Sequence, residues 1–536
     1  MIGGSSIKYS YFTLFVIVAS LVLVFTTIFT PLLNSGDDAF FMYTLAGGFG
    51  EEPTNLLHYN QGWHPWLGGL LSTLFTKWPG VNWYSITLLV FHCCGLTALL
   101  YAMLKTLKPG IGILFFLAIF LFIESRFLLS LNFTGTAFVT STGAMSLMIY
   151  QVNKQKVFCV LNVSAFLLLL LSGMLRLHVV ILVMLLFIPF IISSLSKKAK
   201  LSIFKAYLLS GIVLLLLNKA QENFYIDNIP GWKKQESFRQ ALFYAYNRPK
   251  NPDVFKIAFK DSTEQELFFS SFLYDSVQFT PVRITEISSK ITRKRGLNNK
   301  EDILGLYWFF MELRIYFLLI ITFVITFFFS KQIGQIHRWL IPMITVLFVY
   351  AYLFVFLKIT TTIHLGLLFV LLVQISVGFQ GVAPVFPFKW IRLFMGSVFI
   401  LLVAWMLARL NKENDINKER RRNFNCVLAE LNQNKDKLFI ATDDSFPLGH
   451  FYLWDTPLQF PVSNLVYKDR MLTHTYLKTL KRYGVNDLHK ALRENTNIRL
   501  VGKKLLSLEK ILDGVRISQR MPDFKCMEVR KLERIQ

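Results

Sequence analysis

Long apolar runs separated by short polar turns dominate the chain. The first covers Tyr11 to Leu33. Others come at Trp83–Leu104, Gly110–Ile123, Phe133–Gln151, Val157–Leu175, Leu177–Ser194, Ile203–Leu217, Leu306–Ser330, Trp339–Leu357, Leu365–Gly381 and Leu393–Leu410. Most approach the ~20 apolar residues a helix needs to cross a bilayer. The pattern therefore predicts about eleven transmembrane helices, with Gly110–Ile123 short enough to be tilted or to be extended by the residues after it. Trp63–Trp78 differs. Trp63, Trp66, Leu70, Leu74 and Trp78 recur at helical spacing, while Gly62, Gly69, Ser72, Thr73 and Thr76 fill the other side. That predicts an amphipathic helix lying in the membrane interface.

Two regions break the apolar rhythm. Residues 218–304 are aromatic and basic. Residues 411–536 open with a charged linker, Lys418 to Arg422, and then change period. Lys437–Thr442 reads as a buried strand ending in Asp443 and Asp444, Asp487–Arg493 as a helix, and Ile498–Val501 as another strand. The expectation is a mainly α polytopic membrane module over 1–410, with outer loops at 34–82 and 218–304, and an extracytoplasmic α/β domain over 411–536.

Composition agrees. The chain has 536 residues, is 54% hydrophobic and only 17% charged, and holds 52 Phe. A net charge of +24 would suggest nucleic acid in a soluble chain. Here it reads as basic turns and a basic outer region near anionic membrane lipid, so no nucleic-acid partner is expected. If the N-terminus is cytoplasmic and Trp63–Trp78 does not cross, the cytoplasmic turns hold Lys105, Lys108, Lys154, Lys156, Lys197, Lys198, Lys200, Lys205, Lys331, Arg338, Lys389 and Arg392. The short outer turns then hold only Arg126, Arg176 and Lys358. This is the bias that sets membrane orientation, and letting Trp63–Trp78 cross would reverse it. The five Cys show no Cys-x-x-Cys spacing. Cys426 and Cys526 fall in the same outer region, where a disulfide and two buried thiols are equally compatible with the sequence.

Candidate chemistry gathers at outer span ends. Asn34-Ser35-Gly36-Asp37-Asp38 comes after the first span, and adjacent carboxylates beside hydrocarbon are either a helix cap or a functional site. The same face receives Glu51, Glu52, His58, His64, Glu124, Arg126, Arg176, His178, Lys358 and His364. Each has a plainer role available. Arg126 can pair locally with Glu124, Arg176 can reach to headgroups, and His58 and His64 can be structural. Taken together, carboxylates and cations at headgroup depth suit transfer from a lipid-borne phosphate. An acid takes the acceptor's proton, and cations or a metal hold the leaving phosphate.

The order of features resembles the GT-C superfamily of multi-span glycosyltransferases. The resemblance is carried by Asp37-Asp38 after the first span, the interfacial segment Trp63–Trp78, Ile123-Glu124-Ser125-Arg126, the segments Asp37-Asp38-Ala39-Phe40-Phe41-Met42 and Gly80-Val81-Asn82-Trp83-Tyr84, and the region after the last span. It is closest in character to a bacterial envelope-glycan branch. It implies an inverting transferase of the bacterial inner membrane, moving sugar from a polyprenyl-phosphate donor to a glycan or lipid acceptor. It also implies Asp37 or Asp38, slightly favouring Asp38, as general base, with Glu124 as a second acid. Arg126, Arg176, His178, Lys358 and His364 would contact the donor phosphate. A divalent metal, Mg or Mn, would be held among Asp38, Glu124 and His58. No Trp-Trp-Asp triplet occurs after the last span, which disfavours peptide acceptors. A polysaccharide polymerase or ligase and a lipid-linked sugar transporter or flippase remain as alternatives, the first through the basic loop containing Arg239, Arg248 and Arg283.

Overall fold

The computed structural model describes residues 10–33, 36–58, 62–153, 160–270, 279–295, 302–304, 307, 337–357, 359–378, 389–441, 446–459, 461–467, 473–502, 509, 512 and 515–534. The span expected at Leu306–Ser330 and the Thr442–Asp444 end of the first expected strand lie outside these residues, as does Lys358.

Helix α1 covers Tyr11–Ile28 and leads into a two-residue strand, β1 (Leu32–Leu33), and then α2 (Gly36–Ala46). Helix α3 is Pro65–Lys77 and α4 is Trp83–Thr106. Helix α5 runs Pro109–Leu129, with a wider π turn over Phe120–Glu124 inside it. Strand β2 (Ser130–Leu131) pairs in parallel with β1, and α6 (Phe133–Asn153) comes next. Then come α7 (Val160–Ser194), α8 (Lys197–Asn228), α9 (Trp232–Asn247), α10 (Ser262–Ser270) and α11 (Pro281–Ile291). Helices α12 (His337–Phe356), α13 (Thr361–Gly378) and α14 (Lys389–Gln433) complete the helical part.

Among the described residues α1, α4, α5, α7 and α8 are long and apolar enough to cross a membrane, and α12 and α13 contain shorter apolar stretches. Backbone hydrogen bonds satisfied within each helix are what hydrocarbon demands, so this is a multi-pass membrane protein. Helices α4, α6 and α7 form its centre. Close approach there depends on small residues: a Cβ built on Gly143 would meet the Gly95 carbonyl oxygen at 2.1 Å. Backbones this near are the usual basis of helix association in lipid.

Helix α7 is two helices meeting at Arg176, whose backbone is extended (φ −157°, ψ 92°). Ser172 donates to the Ala137 carbonyl in α6, and Gln374 of α13 donates to the Leu186 carbonyl. Helix α13 descends beside α6, with Gly366 against Phe138. Both halves of α7 therefore run back into the bundle from Arg176, as the division between Leu175 and Leu177 predicts. The break frees two carbonyls. Those of Met174 and Leu175 accept instead from the His64 and Trp63 N–H groups, at 2.8 and 3.0 Å.

Three expected boundaries move outward. The short Gly110–Ile123 run is extended to Leu129, which carries Glu124 and Arg126 into a helix rather than a turn. Helix α8 continues to Asn228, into the expected loop 218–304. Helix α14 continues to Gln433, so the expected charged linker is helical. Arg409–Glu413 and Lys418–Asp415 ion pairs line that exposed stretch at one-turn spacing.

After α14 the chain forms a five-stranded sheet in the order β4-β3-β5-β7-β6. The strands are β3 (Leu438–Ala441), β4 (Leu465–Tyr467), β5 (Ile498–Val501), β6 (Val515–Ile517) and β7 (Val529–Arg534). Helices α15 (His474–Arg482) and α16 (Leu488–Glu494) connect β4 to β5. Strand β3 is parallel to β4 and β5, and β7 is antiparallel to β5 and β6. All residues of β3 and β5 are buried, which explains the unbroken apolar run of β3; β5 also buries Arg499 among its apolar residues. Cys426 and Cys526 are joined as a disulfide.

Candidate functional site

The site begins where α1 ends. Strand β1 turns the chain into α2, whose first turn carries Asp37 and Asp38. Asp38 is completely buried. Its Oδ1 accepts from the Tyr84 hydroxyl at 2.6 Å and from the Phe133 backbone N–H at 2.9 Å. Tyr84 opens α4 and Phe133 opens α6, so one carboxylate oxygen ties three helices together. A carboxylate at the start of α6 also meets the positive end of that helix. Asp37, beside it, is half-buried.

Arg176 faces this pair. Its guanidinium lies in the field of Asp37 and Asp38 and also of Arg239 from α9. It stands 5.4 Å from the centre of the Phe133 ring. Its position comes from the break in α7: an extended residue at the reversal projects a long side chain sideways instead of along the helix. Gly62 pairs with Arg176 as an antiparallel bridge. The next residue, Trp63, has φ 43°, a left-handed conformation that a bulky side chain adopts at a cost. Its ring is fully buried and stacks on Tyr84 at 4.7 Å. The loop therefore clamps the residue that holds Asp38 and the turn that presents Arg176.

Glu124 is not part of this pair of acids. The π turn directs it into the bundle, where it is fully buried, and its Oε1 lies 2.5 Å from His92 Nδ1. His92 Nε2 lies 2.9 Å from the Thr136 hydroxyl, which itself donates to the Asn132 carbonyl. The Thr oxygen thus accepts from His92, and Nε2 carries its proton. This reads as an internal polar lock, one turn below the Phe133 amide.

The expected phosphate ligands fall into two groups. Arg176 belongs with Asp37 and Asp38. His178 lies in the field of Arg176 and Arg239, but its side chain is exposed. Arg126 pairs with Glu413 of α14 at 3.5 Å, rather than with Glu124, and lies in the field that reaches His364. His364 is buried, and its carbonyl accepts from the Tyr350 hydroxyl at 2.9 Å. Lys358 lies outside the described residues.

The expected metal ligands do not come together. His58 is buried against Trp232, with Nδ1 3.0 Å from Gln235 Oε1. Glu124 is engaged by His92, and Asp38 by Tyr84 and Phe133. Among the described residues the one group with metal-ligand spacing is Cys426, Glu430 and Cys526. There the sulfurs form the disulfide, and Glu430 accepts from the N–H groups of Lys525, Cys526 and Met527. Neither donor set fits a divalent cation for the transfer.

The face opposite α4 and α6 is supplied by the chain after α14. Leu33 N–H donates to the Phe451 carbonyl, and Leu453 N–H to that of Pro31. Asn82 donates to the carbonyls of Leu453 and Asp455. Arg482 holds Glu51 and the Phe49 carbonyl. Arg421 stacks 3.7 Å over Tyr452 and bonds both oxygens of Asp455. Burial raises the Asp455 carboxyl above its ordinary range, and Arg421 partly opposes that.

Sequence patterning exposed Asp37, Asp38 and Arg176. It passed over Tyr84, His92 and the Phe133 amide, and it named Arg239 only for the polymerase or ligase alternative. The first two sit inside apolar runs, where a lone polar residue reads as core, and a backbone amide has no signature. Arg239 sat in a loop rich in other cations.

Comparison with solved structures finds similarity along most of the chain. Crystal structures of ArnT from Cupriavidus metallidurans, in the apo state and bound to undecaprenyl phosphate, are each 11% identical to it. Each alignment covers 97% of this chain and, respectively, 97% and 98% of the other, with TM-scores of 0.45 and 0.42. At that level the likeness assigns no chemistry. No protein family and no curated protein matches the sequence.

Proposed function

We propose that the protein is a membrane glycosyltransferase. It moves a sugar from a polyprenyl-phosphate donor to a glycan or lipid acceptor at the outer face of the membrane, with inversion. The observation that carries this reading is the half-buried Asp37, held beside the anchored Asp38, with Arg176 in the field of both acids and of Arg239, whose guanidinium is paired with Glu236 at 2.7 Å.

The two acids divide the work. Asp38 spends one oxygen on two donors and is sealed from solvent, so it positions α2. Asp37 is the acid an acceptor can reach, which reverses the slight preference for Asp38 drawn from the sequence. Asp37 takes the proton of the acceptor hydroxyl as that oxygen bonds to the anomeric carbon. The bond from that carbon to the phosphate oxygen breaks, and the phosphate leaves with the electron pair. Arg176 stabilises the charge that develops on it, and Arg239, which also holds Glu236, adds to the positive field. A positioned base contributes about 10²–10⁴-fold, and each oriented donor about 10²–10³-fold. One displacement at the anomeric carbon inverts it. No step is routed through a metal, because the candidate ligands do not converge.

The experiment is incubation of the purified full-length protein with a panel of polyprenyl-phosphate sugars and mixed envelope lipids and glycans. Formation of a glycosylated product with release of polyprenyl phosphate is expected. A folded sample that releases phosphate lipid from none of the donors contradicts the reading, and uptake of donor lipid without product favours a transporter.

A further inference from the structure

Glu124 and His92 are ionisable groups enclosed in the bundle, and the transfer step uses neither. Both side chains are sealed from solvent. The resemblance drawn from the sequence counts Glu124 among the reacting acids, yet its carboxylate reaches His92 instead. Keeping two such groups inside a membrane bundle is costly and calls for a task.

Their hydrogen bonds lead in one direction. His92, on α4, donates through Nε2 to the Thr136 hydroxyl on α6 at 2.9 Å. That hydroxyl donates to the Asn132 carbonyl at 2.9 Å, beside the Thr136 N–H at 3.0 Å. Asn132 caps α6, its Oδ1 accepting from the Gly135 N–H at 2.7 Å. Its Nδ2 donates to the Ser130 carbonyl at 2.8 Å, in the strand paired with β1.

The turn so fixed ends at Phe133, which meets both halves of the reacting site. As the first residue of α6 its N–H has no partner within the helix, and Asp38 supplies one. Its ring stands 5.4 Å from the Arg176 guanidinium. One residue therefore sets acid and cation relative to each other. A single displacement needs its base and its phosphate ligand at a fixed separation, and a misplacement of about 1 Å can cost about 10²-fold.

An ordinary tie between the same helices lies one turn deeper. Thr140 of α6 donates to the Phe91 carbonyl of α4 at 3.1 Å and to the Thr136 carbonyl at 2.8 Å. It joins α4 to α6 without leading to the Asn132 turn.

We propose that His92 and Glu124 are positioning residues for transfer: through Thr136 they hold the Asn132–Phe133 turn, and with it the separation of Asp37 and Asp38 from Arg176. The word transfer rests on the glycosyltransferase reading, while the coupling of His92 to the Phe133 amide does not.

Two readouts on the full-length protein in detergent test this. One is hydrogen exchange at the Phe133 amide, resolved by fragmentation of its peptide. The other is kcat and donor KM for release of polyprenyl phosphate from a polyprenyl-phosphate sugar. Thr136→Val keeps the side chain's shape and deletes the hydroxyl. In it, exchange at Phe133 is expected to rise about fivefold or more while amides of α8 keep their rates. Its kcat is expected to fall about 10–10²-fold, with a smaller change in donor KM. Thr136→Ser, which retains the hydroxyl, is expected to restore both, and Thr140→Val to leave both near the unaltered values. Equal effects of Thr136→Val and Thr140→Val overturn the assignment, since any tie between α4 and α6 would then serve. Unaltered Phe133 exchange in Thr136→Val overturns it as well. If Thr136→Val does not fold, Glu124→Gln carries the same expectation in smaller measure, and unaltered exchange there overturns the coupling. Faster Phe133 exchange in a protein that releases no polyprenyl phosphate removes the function and keeps the coupling. Slower transfer without faster exchange does the reverse.

Discussion

Asp38 and Asp37 differ by one position and by almost everything else. The first is a buried acceptor for two donors on two helices; the second keeps an edge toward the outside. Tyr84→Phe deletes one of Asp38's donors without changing shape. It is expected to lower stability by about 1.5–3 kcal/mol, measured by thermal unfolding, because a buried carboxylate loses a hydrogen bond. His92 and Glu124 make a sharper case. Glu124→Ala strands His92 beside an empty space, and a loss of about 3–5 kcal/mol is expected. Glu124→Gln, which keeps one acceptor, is expected to lose less. Equal losses for the two would show that packing, and not the hydrogen bond, holds the pair. Little of this could be read from the residues alone. Two acids beside an apolar run announce themselves by their cost in hydrocarbon. A Tyr, a His and a Glu whose costs cancel against one another do not, and the π turn that swings Glu124 inward shifts its face by less than the periodicity of an apolar run can register.

Elements show a different balance. The apolar runs located the long apolar helices among the described residues because every residue of a buried membrane helix obeys the same rule. Even the division of α7 was legible, since a single Arg between two apolar runs cannot remain in mid-membrane. Helix ends were not legible. Helices α8 and α14 outlast their apolar stretches by continuing into water, where ion pairs at one-turn spacing keep a polar helix going and hydropathy goes silent. What the runs also hid is the contact of α4 with α6. Gly95 and Gly143 sit back to back, and Gly143→Ala would put a methyl group 2.1 Å from the Gly95 carbonyl oxygen. Helices α4 and α6 then have to part. The expected outcome is a lower unfolding temperature together with reduced transfer, since Tyr84 and Phe133 move with their helices. By contrast Gly396→Ala, on α14 with open space around its Cβ position, is expected to leave both unchanged.

At the scale of the molecule, the chain after α14 closes the site. Its segment from Phe451 to Asp455 is hydrogen-bonded to β1 and to Asn82, on either side of α2. The expectation of a separate outer domain beginning at 411 missed this, because long-range pairing leaves no local pattern. Asn82→Ala is expected to lower transfer more than it lowers stability, by letting α2 shift while the bundle stays folded. The Cys426–Cys526 disulfide closes a loop with a sequence separation of 100 residues. Reduction is expected to destabilise the protein by about 2–4 kcal/mol, read from unfolding with and without dithiothreitol. Because this part also holds α2 in place, loss of transfer should accompany the loss of stability.

The measurement that bears most directly on the whole account is the single-turnover rate of sugar transfer by Asp37→Asn, at saturating donor, in a sample whose unfolding temperature matches the unaltered protein. A fall of about 10²–10⁴-fold is predicted, as for removal of a general base. Transfer at the unaltered rate would contradict the assignment of Asp37 and, with it, the chemistry proposed for this site.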